Sequence, residues 1–128
     1  MEYPAPSATL RELSEPEYFS LLDSVTHGRL AITQKALPAI VPIRLWLLDD
    51  EVIVSPLLGR AVPLIPDSVV ALQAGPLGQG LASDWSVEVR GFLREWSDTT
   101  ATAQADGNRS STERFRMTSD HVRGWSVS

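Results

Sequence analysis

From Gly28 onward the chain is a succession of short apolar runs, GRLAIT, PAIVPIRLWLL, EVIVS, SVVALQAG and WSVEVRGFLRE, parted by turn chemistry. Runs of this length are strands, and that limits the fold more than any other feature of the chain. In WSVEVRGFLRE the period is two. Trp85, Val87, Val89, Gly91 and Leu93 point one way; Ser86, Glu88, Arg90 and Arg94 point the other, with Phe92 the exception. This is a half-buried antiparallel strand. Asp49 and Asp50, between LWLL and EVIV, make a tight hairpin although neither is the glycine such turns prefer. SVVALQAG reads as a buried strand, and TERFRMTSDHVRGWSVS supplies a last pair of strands. About six strands with few helices would leave an open sheet with exposed edges, and closure into a barrel removes them. The expectation is a small, mainly β barrel.

The segments between the strands are read from their local chemistry. Residues 1–13 form an extended leader, and 14–128 a single domain large enough to enclose a core without staples. Ser14-Glu15-Pro16-Glu17 has the form of a capping box with Pro in the first turn, and Tyr18, Leu21, Leu22 and Val25 follow at helical spacing. A short amphipathic helix from about Glu15 to Ser24 follows from that pattern. Gly59 to Asp67, with two prolines, is a loop or one irregular helical turn. PLGQG lacks the order and the helix entry of a phosphate loop and is read as a mobile connection. Ser97 to Ser111 is a polar excursion, loosely helical or partly disordered.

Several chemistries are closed by composition. The absence of cysteine removes disulfides, thiolate metal sites and thiol nucleophiles. A net charge of -5 with dispersed arginines disfavours nucleic acid as a partner. No apolar run is long enough for a membrane helix, and MEYPAPSATL is not ordered like a signal peptide, so a cytoplasmic protein without membrane contact is expected. The only histidines, His27 at the expected helix-to-strand junction and His121 before the last strand, are read as surface or junction residues rather than catalysts. Ser86 lies near Asp84 without the elbow motif of a serine hydrolase, and no ligand spacing points to a metal.

Trp46, Trp85, Trp96 and Trp125 are first of all packing residues, for a core or a dimer seam, and are also surfaces on which a flat ring stacks. Arg44 in VPIRLW and Arg90 in VEVRG interrupt apolar strands; each either lies on an exposed face or contacts an anion or ring edge.

Taken in order, HGRLAIT, PAIVPIRLWLLDDEVIVS, VVALQ and DWSVEVRGFLREW resemble the pyridoxamine 5′-phosphate oxidase-like flavin split-barrel family, in its small actinobacterial form. The likeness runs from Ser14 to Trp96 and returns at HVRG near the end. It implies a six-stranded Greek-key split barrel with a short N-terminal helix and one or two small connecting helices. It also implies a homodimer holding FMN or a deazaflavin at its interface, with hydride transfer between the reduced ring and a small acceptor as the reaction. The family's phosphate-holding stretch falls on VSPLLGR, with Ser55 in its threonine position and Arg60 in its lysine position, while its arginine and glycine positions fall on Val54 and Leu58. The backbone around Val41, Pro42 and Ile43 would edge the ring, Arg44 takes the place of a polar residue beside it, and Trp85 and Ser86 would shape the pocket or the seam. Other departures are Gln73 where an acidic residue often ends a strand, Pro63 and Pro66 in a usually helical segment, and Trp125 in place of the last arginine. No residue is assigned as a catalytic acid or base. The rival reading is a degenerate relative that keeps barrel and dimer but binds no cofactor, acting as a sequestering or protein-interaction module.

Overall fold

A computed structural model of the chain describes residues 10–57, 64–76, 84–96 and 114–127. Its elements in order are β1 (Leu10–Glu12), α1 (Glu15–Asp23), β2 (His27–Gln34), β3 (Leu37–Leu48), β4 (Glu51–Pro56), β5 (Val69–Ala74), β6 (Trp85–Glu95), β7 (Phe115–Met117) and β8 (His121–Val127). Every strand pairing is antiparallel. The order β6-β5-β2-β3-β4-β7 returns to β6, so six strands close on themselves as a barrel. β8 and then β1 extend from β6 outside that ring.

Alternation builds the core. Leu30 and Ile32 of β2, Val41, Ile43 and Leu45 of β3, and Val87, Val89 and Leu93 of β6 all turn inward and are buried. Each such side chain contributes about 1.5–3 kcal/mol of transfer free energy. Two hairpins set the register of the first half. The Asp49-Asp50 turn has φ of 52° and 64°, the left-handed pair of a tight primed turn, as the sequence implies. Lys35-Ala36 makes an equivalent turn at φ 51° and 65°, where no residue preference signals one. Opposing inward residues such as Leu30 and Val41 fix this pairing and override the turn's own cost.

β6 carries the split. Along one edge Val87 to Phe92 pair with β5; along the other, Trp85 to Arg90 pair with β8 while Leu93 to Glu95 pair with β7. The change of partner occurs at Gly91, where a Cβ would collide with the backbone carbonyl of Thr118. Thr118 binds this point from both sides: Phe92 N–H donates to Thr118 Oγ1 at 2.8 Å, and Thr118 N–H donates to the Phe92 carbonyl at 2.9 Å.

α1 packs against β3 and β6 and drives Leu22 wholly into the core. Its start follows from the sequence: Ser14 N–H donates to Glu17 Oε1 at 2.9 Å, and Pro16 sits in the first turn. Arg11 of β1 reaches the same carboxylate through two hydrogen bonds of 3.1 and 2.9 Å. The Arg11 guanidinium first, and the Ser14 amide second, hold the Glu17 carboxyl down to about 2. Leu10–Glu12, within the expected leader, thus pairs with β8 and is tied to α1. Among the described residues α1 is the one helix, and Leu64 to Ser68 form a turn rather than a connecting helix. The PLGQG stretch from Leu77 to Gly80 and the excursion from Ser97 to Ser111 lie outside the described residues.

The tryptophans divide by depth. Trp85 is 9% exposed and joins the core. Trp46 and Trp96 meet edge to face at 6.5 Å on the outside, with the Arg114 guanidinium 5.2 and 5.4 Å from their rings. Trp125 carries Arg123 over its ring at 4.9 Å.

Candidate functional site

The alternation that sends Leu30, Val41, Leu72 and Val89 inward turns their neighbours onto the outer wall. Arg29 of β2 stands opposite Pro42 of β3 and Gln73 of β5, and Gln73 stands opposite Glu88 of β6. Side chains join across this row. Arg29 Nη1 donates to Gln73 Oε1 at 2.8 Å, and Gln73 Nε2 donates to Ser86 Oγ at 3.2 Å. A guanidinium has five N–H donors in a planar fork, so this contact orients Arg29 and leaves donors over. Glu88 is close in the row but its carboxylate is taken by Arg90 Nε at 3.1 Å. Arg29 has no acidic partner among the described residues.

Two clefts share Arg29. One, of about 330 Å³, is lined by Arg29, Ile40, Gln73, Ser86, Glu88 and Trp125 among others. The other, of about 460 Å³, is lined by His27, Arg29, Pro42, Gly75 and Trp85 with the end of α1. Gly75 belongs there because its φ of 133° and the closeness of the Trp85 backbone exclude a side chain. Both volumes fall in or near the range of small-molecule sites.

A second outward row lies beside the first: His27, Arg44 and Ser55 are cross-strand partners on β2, β3 and β4. Arg44 follows Pro42 by two positions, which makes it the diagonal neighbour of Arg29, with backbones about 7–8 Å apart. Arg44 is exposed and has no ion pair among the described residues. Two arginines without acidic partners among the described residues, on one patch of a chain of net charge -5, form a local anion-attracting spot.

The sequence-derived site residues are placed as follows. Pro42 and Arg44 face outward, and Ser55, 9% exposed, is the cross-strand partner of Arg44. Val41 and Ile43 point their side chains into the core, so only their backbone is available to the outer wall. Trp85 lines the larger of the two clefts and Ser86 the smaller. Ser86, read as an outward polar residue, is on the outer wall but is 7% exposed and bonded to Gln73. Arg60 lies outside the described residues. His27 and His121 are exposed and are the first residues of β2 and β8, His121 thus within the strand it was expected to precede, with His27 Nδ1 2.7 Å from Thr26 Oγ1. Among the described residues no three metal-ligating side chains come together.

Sequence reasoning missed Arg29. It lies in HGRLAIT, and it interrupts an apolar strand in the same way as Arg44 and Arg90, so the same question asked of it would have found it.

Comparisons with known proteins agree with this architecture. A family model described as pyridoxamine 5′-phosphate oxidase matches residues 14–123. The uncharacterized protein Rv0080 of Mycobacterium tuberculosis is 37% identical over an alignment of 99 residues that covers 73% of this chain; the chain spans 65% of the length of that curated relative. An FAD-binding protein from Mesorhizobium loti superposes with a TM-score of 0.68 at 26% identity, covering 95% of this chain and 99% of that one. The FAD-binding protein of Mycobacterium smegmatis gives a TM-score of 0.69 at 24% identity, covering 91% and 97%.

Proposed function

Since the chain belongs to the pyridoxamine 5′-phosphate oxidase family, we propose that it is a flavin-binding split-barrel protein that holds FMN or a deazaflavin on the outer wall of the barrel and acts as an oxidoreductase. One observation carries this reading: Arg29 and Arg44 stand diagonally on one patch without acidic partners among the described residues, beside two clefts in or near the size range of small-molecule sites. The FAD-binding neighbours support the cofactor class.

The donor set fits a phosphorylated ligand. Arg29 and Arg44 offer planar forks that meet phosphate oxygens bidentately. Ser55, Arg44's partner across the ladder, supplies a hydroxyl, and Arg60 a further cation. Each charge-assisted hydrogen bond to phosphate contributes about 1.5–3 kcal/mol. Pro42 and the backbone of Val41 and Ile43 give the ring a flat, apolar edge, while Trp85 and Ser86 close the clefts behind it. The bound flavin would accept and deliver a hydride to a small acceptor; the protein supplies position, dryness and electrostatics.

The active form is a homodimer. On the same wall Ile40 is 68% exposed and Val69 66%, with Ala31 and Ala71 between them in register. An apolar strip of this kind on a soluble protein marks a contact surface. A second copy laid on it would roof the two clefts and exclude water from them. A cytoplasmic location accords with a chain in which no described helix is long and apolar enough to cross a membrane.

Titration of the purified protein with FMN, FAD and a deazaflavin, followed by flavin fluorescence and the visible band, tests the reading. Saturable micromolar binding that weakens about tenfold in Arg60→Ala supports it. A colourless protein that ignores all three leaves the module without cofactor as the correct account.

A further inference from the structure

The ring of six strands is completed by β7, which is three residues long and makes three residue pairs with β4 and three with β6. Its ladder with β6 sets Arg94 directly opposite Arg116, and like charges facing across a ladder repel. Each guanidinium has a carboxylate of its own, Asp67 for Arg94 and, at 3.4 Å, Glu51 for Arg116. A strand with so few pairs is where a fold opens locally at least cost.

The outer face of this closure is bridged by aromatic rings. Trp46 of β3 and Trp96, just past the end of β6, meet edge to face although β4 and β7 lie between their strands in the ring. Neighbouring strands lie about 4.8 Å apart, so the two indoles reach over both intervening strands. Arg114, the residue before β7, holds its guanidinium over both rings at 5.2 and 5.4 Å. Ile53 lies in the same region. Alternation puts Val52 and Val54 into the barrel core and turns Ile53 outward, between its cross-strand partners Trp46 and Arg116, yet it is 0% exposed.

We propose that Trp46, Arg114 and Trp96 form a strap across the closing strand, and that this strap governs local opening of the barrel at β7. Arg114 is joined to β7 by the chain and to β3 and β6 through the two rings. For β7 to leave its ladders, a cation must separate from both ring faces at once. The strap thereby offsets the weakness of the Arg94-Arg116 register. Neither a cofactor nor a second copy is required for it.

Native-state hydrogen exchange of the full chain, read amide by amide, tests the strap. Arg114→Gln should speed exchange of the protected amides in Phe115–Met117 about fivefold or more, while those of the β2-β5 ladder keep their wild-type rates. Arg114→Lys, which keeps the charge, should lie between Arg114→Gln and wild type. Trp96→Leu should act on the same amides, and the double variant should show less than the product of the two single effects because both remove one shared contact. Arg114 and Trp96 are half-exposed and outside the barrel core, so these variants leave the core intact. Unchanged exchange at β7 in Arg114→Gln, equal acceleration throughout the barrel, or fully independent effects of Arg114→Gln and Trp96→Leu would each overturn the assignment.

Discussion

Arg29 on β2 and Gln73 on β5 face each other across the outer wall, Arg29 Nη1 donating to Gln73 Oε1 at 2.8 Å. The amide is neutral, so it aims the guanidinium without cancelling its charge. Replacing Gln73 with Glu would keep the contact and neutralise the cation. Gln73→Glu and Arg29→Ala should therefore each weaken FMN binding about tenfold or more, while Gln73→Ala should do so less. Fluorescence titration of FMN measures all three. Equal affinities across the series would remove Arg29 from the site.

The strip formed by Ile40, Ala31, Ala71 and Val69 is the surface proposed for contact with a second copy. Ile40→Asp places a charge at one end of it without touching the core, since Ile40 is 68% exposed. Light scattering should then report the monomer mass where wild type reports the dimer. An unchanged dimer would place the contact elsewhere.

Gly91→Ala should be among the most damaging single changes in the chain. Its methyl would meet the carbonyl of Thr118, a residue whose N–H and Oγ1 are already bonded to Phe92, and the strand cannot yield without breaking its pairs with β5 or β7. A loss of about 3 kcal/mol or more, or failure to fold, is expected in urea melts.

The Lys35-Ala36 turn holds two ordinary residues at positive φ. Asn and Gly adopt that conformation far more readily, so the double change Lys35→Asn and Ala36→Gly should stabilise the protein by about 1 kcal/mol. The chemical denaturation midpoint should rise with an unchanged slope.

Glu17 titrates well below its ordinary value of 4.5, at about 2, because Arg11 and the Ser14 amide bind its ionised form. A carboxyl depressed in the folded state adds stability at pH above 4.5 that is lost as pH falls from there toward 2. Glu17→Gln should flatten the thermal midpoint across that interval and leave its slope above it unchanged. A wild-type acid limb identical to that of Glu17→Gln would show that the pair does not contribute.

The barrel was legible where local chemistry and burial agree. Period two in WSVEVRGFLRE, the Asp49-Asp50 turn and the Ser14-Glu17 cap each draw on neighbours a few residues away, and each stands in the structure as read. The Lys35-Ala36 hairpin was not legible because its register is imposed by core residues on both strands rather than by the turn. The partner change at Gly91 depends on Thr118, distant in the chain, and a lone glycine in a strand does not announce what approaches it. The site is similar. Arg44 could be singled out from its apolar flanks, but its diagonal relation to Arg29 exists only once β2 and β3 are paired. Ser86 is polar by type and lies on the outer wall by parity, yet only the folded sheet bonds it to Gln73 and leaves it 7% exposed.

Because β8 joins β6 above the seam and takes no part in closing the ring, it is cladding rather than a stave. Substitutions along its outward side, where Trp125 meets the smaller cleft, should alter what that cleft admits while the hoop of six strands stays closed. Divergence among relatives that share this wall should accordingly gather in the final strand, and chimaeras exchanging it should trade ligand preference without trading the scaffold.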